Sequence, residues 1–148
     1  MGIFNSINMS ATGLTAERTR MDIISKNIAN ANTTRTSSGT PYRRQMVVFE
    51  ESKNKSFAEH LSNFTKSRSL MEKNGVKISE IVEDKSPFKK VYDPGHPDAD
   101  KAGYVNMPNV DIVKEMVDMI TATRSYEANI TSIDSSKSMA MKAINIGK

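Results

Sequence analysis

The densest cluster of side chains able to do chemistry is His96, Asp98 and Asp100, followed by Gly103. Read as a calcium loop, it puts Asp98 at position one, Asp100 at three and Gly103 at six. The pattern then fails, because position five is Ala102 and position twelve is Asn109 where a bidentate glutamate belongs. One His and two carboxylates on a Pro-rich turn are also too few ligands for a transition metal. The ordinary reading is a rigid turn whose Asp side chains hydrogen-bond nearby backbone. Nucleophilic catalysis needs a Ser or Cys beside a positioned base, yet the chain has two His, His60 and His96, and no Cys. Glu50–Glu51 and Glu83–Asp84 pair carboxylates, but neighbours on a strand point to opposite faces. The seven Gly form no phosphate-cradling loop, and the ten Met suit packing better than soft-metal binding. The doublets Arg43–Arg44 and Lys89–Lys90 read as solvated charges on edge strands. The sequence therefore argues against an enzyme, and no catalytic residue, metal site or cofactor is expected.

The elements that carry these residues are more informative. From Ile112 in steps of four and three run Ile112, Met116, Met119, Thr123, Tyr126, Ile130, Ile133, Lys137, Ala140 and Ile144. That alternation is the seam of a helix packed along its length against another helix. Pro108 precedes Asn109, which reads as the N-cap, with Asp111 in the first turn. A second stripe repeats Ile7, Leu14, Met21 and Ile28 every seven residues. It predicts a helix over 3–31, firm from about Thr15 and frayed before it, because Gly13 and a bland opening weaken it. Between the helices, Tyr42–Glu50, a segment opened by Gly75, Phe88–Tyr92 and Gly103–Val105 read as strands. Residues 51–74 read as an excursion, with Phe57, Leu61 and Phe64 on one short face. The expected fold is mainly α with a small β-rich insert. Long terminal helices, 1–34 and 109–148, pair in coiled-coil fashion around a β-rich segment, 35–108.

Composition narrows the function classes. The 148 residues suit one domain, and 37% apolar content without Trp allows only a thin core. The net charge of +4 is spread along the chain, whereas nucleic-acid binders gather basic charge on one face. No segment approaches the ~18 apolar residues of a membrane span. No basic stretch opens a cleavable signal peptide. Met1–Ser6 matches a myristoylation pattern, but Ile3, Phe4 and Ile7 already have a use on a helix face. Absent cysteines exclude disulfides.

The run Ser25-Lys26-Asn27-Ile28-Ala29-Asn30-Ala31-Asn32-Thr33 resembles the Asn-Ile-Ala-Asn-x-x-Thr motif of bacterial flagellar rod and hook proteins. Glu115-Met116-Val117, Met119-Ile120 and Arg124-Ser125-Tyr126-Glu127-Ala128-Asn129 resemble their terminal helix. The turn from His96 and the run from Gly103 to Val110 look most like the proximal rod proteins of that family. The resemblance implies a structural subunit of the basal-body rod, which crosses the periplasm. It also implies export through the flagellar type III apparatus without a cleaved signal, and assembly with copies of itself and other rod proteins. A chain working there has reason to avoid free thiols. Torque would pass through helix–helix packing between subunits. The residues expected to pack there are Ile7, Leu14, Met21, Ile28, Asn27, Asn30, Ile112, Met116, Met119, Tyr126, Ile130, Ile133 and Ile144. Asn27, Asn30 and Asn32 either tie the helix end to a neighbour by amide hydrogen bonds or merely end the helix. Binding to nucleic acid and direct membrane insertion are not expected. The rival readings are a non-flagellar helical scaffold or adaptor and, less favoured, a nucleic-acid-binding helical protein.

Overall fold

The computed structural model describes residues 3–53 and 74–146. The Phe57–Leu61–Phe64 face and His60 lie outside the described residues. Helix α1 spans Ile3–Ala29 and helix α2 spans Ile112–Ile146. Between them run β1 (Gln45–Lys53), β2 (Asn74–Glu83), β3 (Lys89–Tyr92) and β4 (Tyr104–Met107). The architecture is the expected one, mainly helical with a small β insert.

The two helices run antiparallel, and small and polar residues meet across their seam. Ser6 meets Ser136 at 3.3 Å and Ser10 meets Ser132 at 3.4 Å. Thr123 donates to the sulfur of Met21 at 3.6 Å. A Cβ built on Gly13 would lie 3.1 Å from the Asn129 amide, so the glycine lets that side chain close in. These contacts explain why α1 is continuous from Ile3 and not only from Thr15: tertiary packing overrides a weak local preference. At ~1.5 Å per residue α2 is ~52 Å long against ~40 Å for α1. Its last turns, carrying Met141, Ile144 and Ile146, therefore run past the first turn of α1, and all three are exposed.

Strands β1 and β2 form an antiparallel ribbon laid on α1, with an irregularity at Val48/Phe49, where Ser79 is the extra residue. Thr12 fastens it by accepting a hydrogen bond from the Val76 amide at 3.1 Å. Gly75 permits that approach, since a Cβ there would meet the Thr12 hydroxyl at 2.8 Å. Strand β1 begins at Gln45 and not at Tyr42 because the backbone N–H groups of Arg44 and Gln45 bond to the side chains of Asn109 and Asn27. Strands β3 and β4 make a second two-stranded ribbon, with Tyr92 edge-on to Tyr104 at 5.3 Å between ring centres. Gly103, at φ +82°, closes it in the left-handed region that favours glycine.

The turn between β3 and β4 uses its carboxylates on the backbone, as a rigid turn should. Asp100 accepts from the Ala102 and Tyr104 amides, which hold its carboxyl below the usual range, and Asp93 accepts from Gly95. Asp98 reaches further and accepts from the Thr34 hydroxyl at 2.8 Å, tying the turn to the exit of α1. Among the described residues the buried apolar ones are few: Ala16, Ile24, Ala31, Tyr42, Val105 and Ala122. Gly13→Leu should wedge the helices apart and cost about 1–3 kcal/mol. It would be read as a lower midpoint in thermal circular dichroism. An unchanged midpoint would show that the helices are not closely packed there.

Candidate functional site

The best-formed polar cluster of the described chain lies where the end of α1, the start of β1 and the start of α2 converge. Asn27 is 1% exposed and Glu115 is 0% exposed. The Asn27 amide nitrogen donates to the Gln45 carbonyl at 2.8 Å and to Glu115 Oε2 at 3.0 Å. Its oxygen accepts from the Gln45 N–H and the Tyr42 hydroxyl, both at 2.9 Å. Two donors and two acceptor sites are thus all used, which is the full capacity of an amide. The other Glu115 oxygen takes Arg44 Nε at 2.6 Å, and Arg44 Nη2 reaches Asp118 at 3.3 Å. Burial raises the pKa of Tyr42, and the nearby charges of Glu115 and Glu83 raise it further, so its hydroxyl stays a donor.

Asn109 completes the cluster and departs from its expected role. Its oxygen accepts from the Arg44 N–H at 2.8 Å, and its nitrogen donates to the Asp84 carbonyl at 3.0 Å. The N-cap of α2 is therefore Asp111, whose Oδ1 accepts from Val113 N at 3.0 Å and Lys114 N at 3.3 Å. Arg44 likewise departs from a solvated edge charge, since it is the cation that compensates a fully buried carboxylate.

The seam of α2 keeps Met119, Tyr126, Ile133 and Ala140 of the expected stripe, half-buried, and replaces Met116, Thr123, Ile130 and Lys137 by the residue before each. The row facing α1 is Glu115, Ala122, Asn129 and Ser136, with Met119, Tyr126 and Ile133 half-buried beside it. Each member of that row precedes Met116, Thr123, Ile130 or Lys137, and one residue is ~100° of helix. Ile112, Met116, Ile130 and Ile144, expected in the seam, are instead exposed, together with Val113, Val117 and Ile120. On α1, Ile7, Leu14, Met21 and Ile28 are half-buried. The amides of Asn27 and Asn30 are engaged within the chain: Asn30 donates to the Lys26 carbonyl at 2.9 Å and ends the helix. Asn32 is exposed.

Sequence reasoning thus missed Tyr42, Arg44, Gln45, Asn109 and Glu115. A signal existed in the seven-residue spacing of Glu115, Ala122, Asn129 and Ser136, a small-and-polar row that an apolar template passes over. Truncating Glu115→Ala should leave Arg44 under-compensated and free a buried amide donor, at a cost of about 3–5 kcal/mol. Urea unfolding would measure it, and a loss below about 1 kcal/mol would mean that water substitutes for the carboxylate.

Comparison with known proteins places this arrangement. Residues 7–35 match the family model described as flagella basal body rod protein. Residues 101–146 match that described as flagellar basal body rod FlgEFG protein C-terminal. The flagellar basal-body rod protein FlgC of Bacillus subtilis is 52% identical over the whole of both chains. That of Borreliella burgdorferi is 49% identical, covering 99% of this chain and 98% of its own. That of Escherichia coli O157:H7 is 36% identical, again over the whole of both chains. With matches to both terminal helices and full-length relatives of this similarity, the chain belongs to the flagellar basal-body rod protein family and is a structural rod subunit of the FlgC type.

Proposed function

We propose that this subunit transmits torque along the rod through helix–helix contacts between neighbouring copies and other rod proteins. The observation that carries the proposal is the exposed apolar surface of α2. Ile112, Met116, Val117, Ile120 and Ile130 all lie off the seam with α1 and are exposed. Scattered surface apolar residues are ordinary, but a cluster such as Ile112–Ile120 on one helix, with Ile130 further along, marks an interaction surface. The overhang with Met141, Ile144 and Ile146 extends it beyond α1. Of the residues expected to pack between subunits, Ile112, Met116, Ile130 and Ile144 present the largest free surface. Met119, Tyr126, Ile133 and the α1 stripe share theirs between the chain's own packing and a neighbour.

The site of action is the periplasmic part of the basal body, reached through the flagellar type III export apparatus without a cleaved signal. A chain whose fold rests on one thin core and one polar network is suited to passing unfolded through a narrow channel and refolding against its neighbours. No helix among the described residues is long and apolar enough to cross a membrane. The spread charge fits the absence of a nucleic-acid partner.

Substituting Met116→Asp and Ile130→Asp together should leave folding nearly unchanged, because both side chains are exposed. The same variant should abolish swimming and leave basal bodies without a complete rod in cells lacking the native protein. Normal basal bodies in electron micrographs of that variant would refute the role given to this face. Mass spectrometry of subunits in purified basal bodies should recover the N-terminal peptide intact.

A further inference from the structure

A cleft of about 410 Å³ opens where α1, α2 and the β1–β2 ribbon meet. Met9, Ala16, Phe49 and Val76 give it apolar walls, and Glu17 and Asn129 also line it. Met9, Phe49 and Val76 are each about two-fifths exposed, so the walls are open to a partner. Glu17 Oε2 is shielded from solvent yet accepts no hydrogen bond. Arg20 Nη1 forms an ion pair with it at 3.9 Å, too long for a hydrogen bond. A carboxylate oxygen withdrawn from water without a hydrogen-bond donor is costly, and a charged donor delivered through the cleft would relieve that cost.

The chain itself carries a matching surface. Val113, Val117, Ile120 and Arg124 are spaced four, three and four residues apart, so they form one ridge along α2. The three apolar members are each more than half exposed. Arg124 is also exposed and forms no ion pair among the described residues. It follows Ala122, which is fully buried against α1, by two residues. Two residues turn the helix by ~200°, so Arg124 points away from its own α1 and from Glu17.

We infer that the Glu17 cleft of one copy receives the Val113–Arg124 ridge of a second copy, with the Arg124 guanidinium on the Glu17 carboxylate. This rests on the rod-subunit reading and deepens it. The apolar ridge lies on Met9, Phe49 and Val76, and the arginine stem crosses the cleft while its head meets the charge. Cleft and ridge are different surfaces of the chain, so the contact is head-to-tail. Such a contact propagates into a ring or a helix and does not stop at a dimer.

A charge exchange tests this in motile cells that express only the variant chain. Glu17→Arg and Arg124→Glu should each suppress swimming to the level of cells lacking the protein, and the combined E17R/R124E chain should restore it. A second measurement uses the absence of native cysteine. In isolated basal bodies, E17C/R124C treated with a short bismaleimide should give a ladder of linked subunits beyond the dimer, whereas each single cysteine variant gives at most dimers. Rescue or a ladder supports the contact; loss of swimming without rescue, together with no ladder, overturns it. If the exchange fails while the Met116/Ile130 variant still blocks assembly, only this contact is wrong and the broader assembly surface stands.

Discussion

The structure depends on a buried carboxylate that must never be left alone. Glu115 is fully enclosed, and an enclosed charge is tolerable only when paired and hydrogen-bonded. Its two oxygens draw in Arg44 from the start of β1 and Asn27 from the end of α1, so one side chain fixes three elements. The requirement then spreads outward. Asn27 can donate to Glu115 only if its own oxygen is satisfied, which engages Tyr42 and the Gln45 amide. Arg44 can be aimed only if its backbone is held, which engages Asn109. Such a network adds little to net stability compared with apolar packing, but it penalises every other arrangement of the same elements. It sets the register of α1 against α2 and the place where the β ribbon departs.

That register decides which residues the subunit keeps for itself. With Glu115 in the seam, seven-residue spacing brings Ala122, Asn129 and Ser136 to α1, where they meet Gly13 and Ser6. Small residues on both sides let the helices approach closely and give the pair many short contacts, but little apolar burial. The apolar side chains of α2 off this row, Met116 and Ile130 among them, are turned outward as a consequence. The polar network and the exposed apolar face are thus two results of one constraint. Relaxing the first would rotate α2 and bury residues such as Met116 and Ile130 against its own α1.

Much of this was legible in the sequence, but the row of α2 that faces α1 and the polar junction that sets it were not. Both helices, the four strand segments and the backbone-bonded turn at His96–Gly103 follow from periodicity and turn chemistry. The Asn-Ile-Ala-Asn run and the Arg124–Asn129 run carried the family. The rotation of α2 was hidden because an apolar template reads Met116, Ile130 and Ile144 as the seam. A soluble helix pair normally buries its largest apolar residues, and the template holds that assumption. Here the assumption fails because the Glu115 network turns residues such as Met116 and Ile130 away from α1. The misplaced cap at Asn109 has the same origin. Both Asn109 and Asp111 are good cap residues, and only the distant Arg44 N–H decides between them.

Under the proposed torque-carrying role, the division of labour has a mechanical reason. Apolar contacts between subunits are non-directional, so by themselves they would let one helix slide or roll on another under load. Within each subunit the directional contacts are concentrated at the Asn27–Arg44–Glu115 junction, which resists rotation of α2 about its own axis. A fixed rotation of α2 means that its outer face is presented to every neighbour at the same angle. In the proposed mechanism, twisting load would then reach many equivalent apolar contacts in parallel and would not be spent in turning helices inside their own subunit. On this argument the buried carboxylate contributes to stiffness more than to stability, and the exposed apolar face can be broad and plain because its orientation is specified from within.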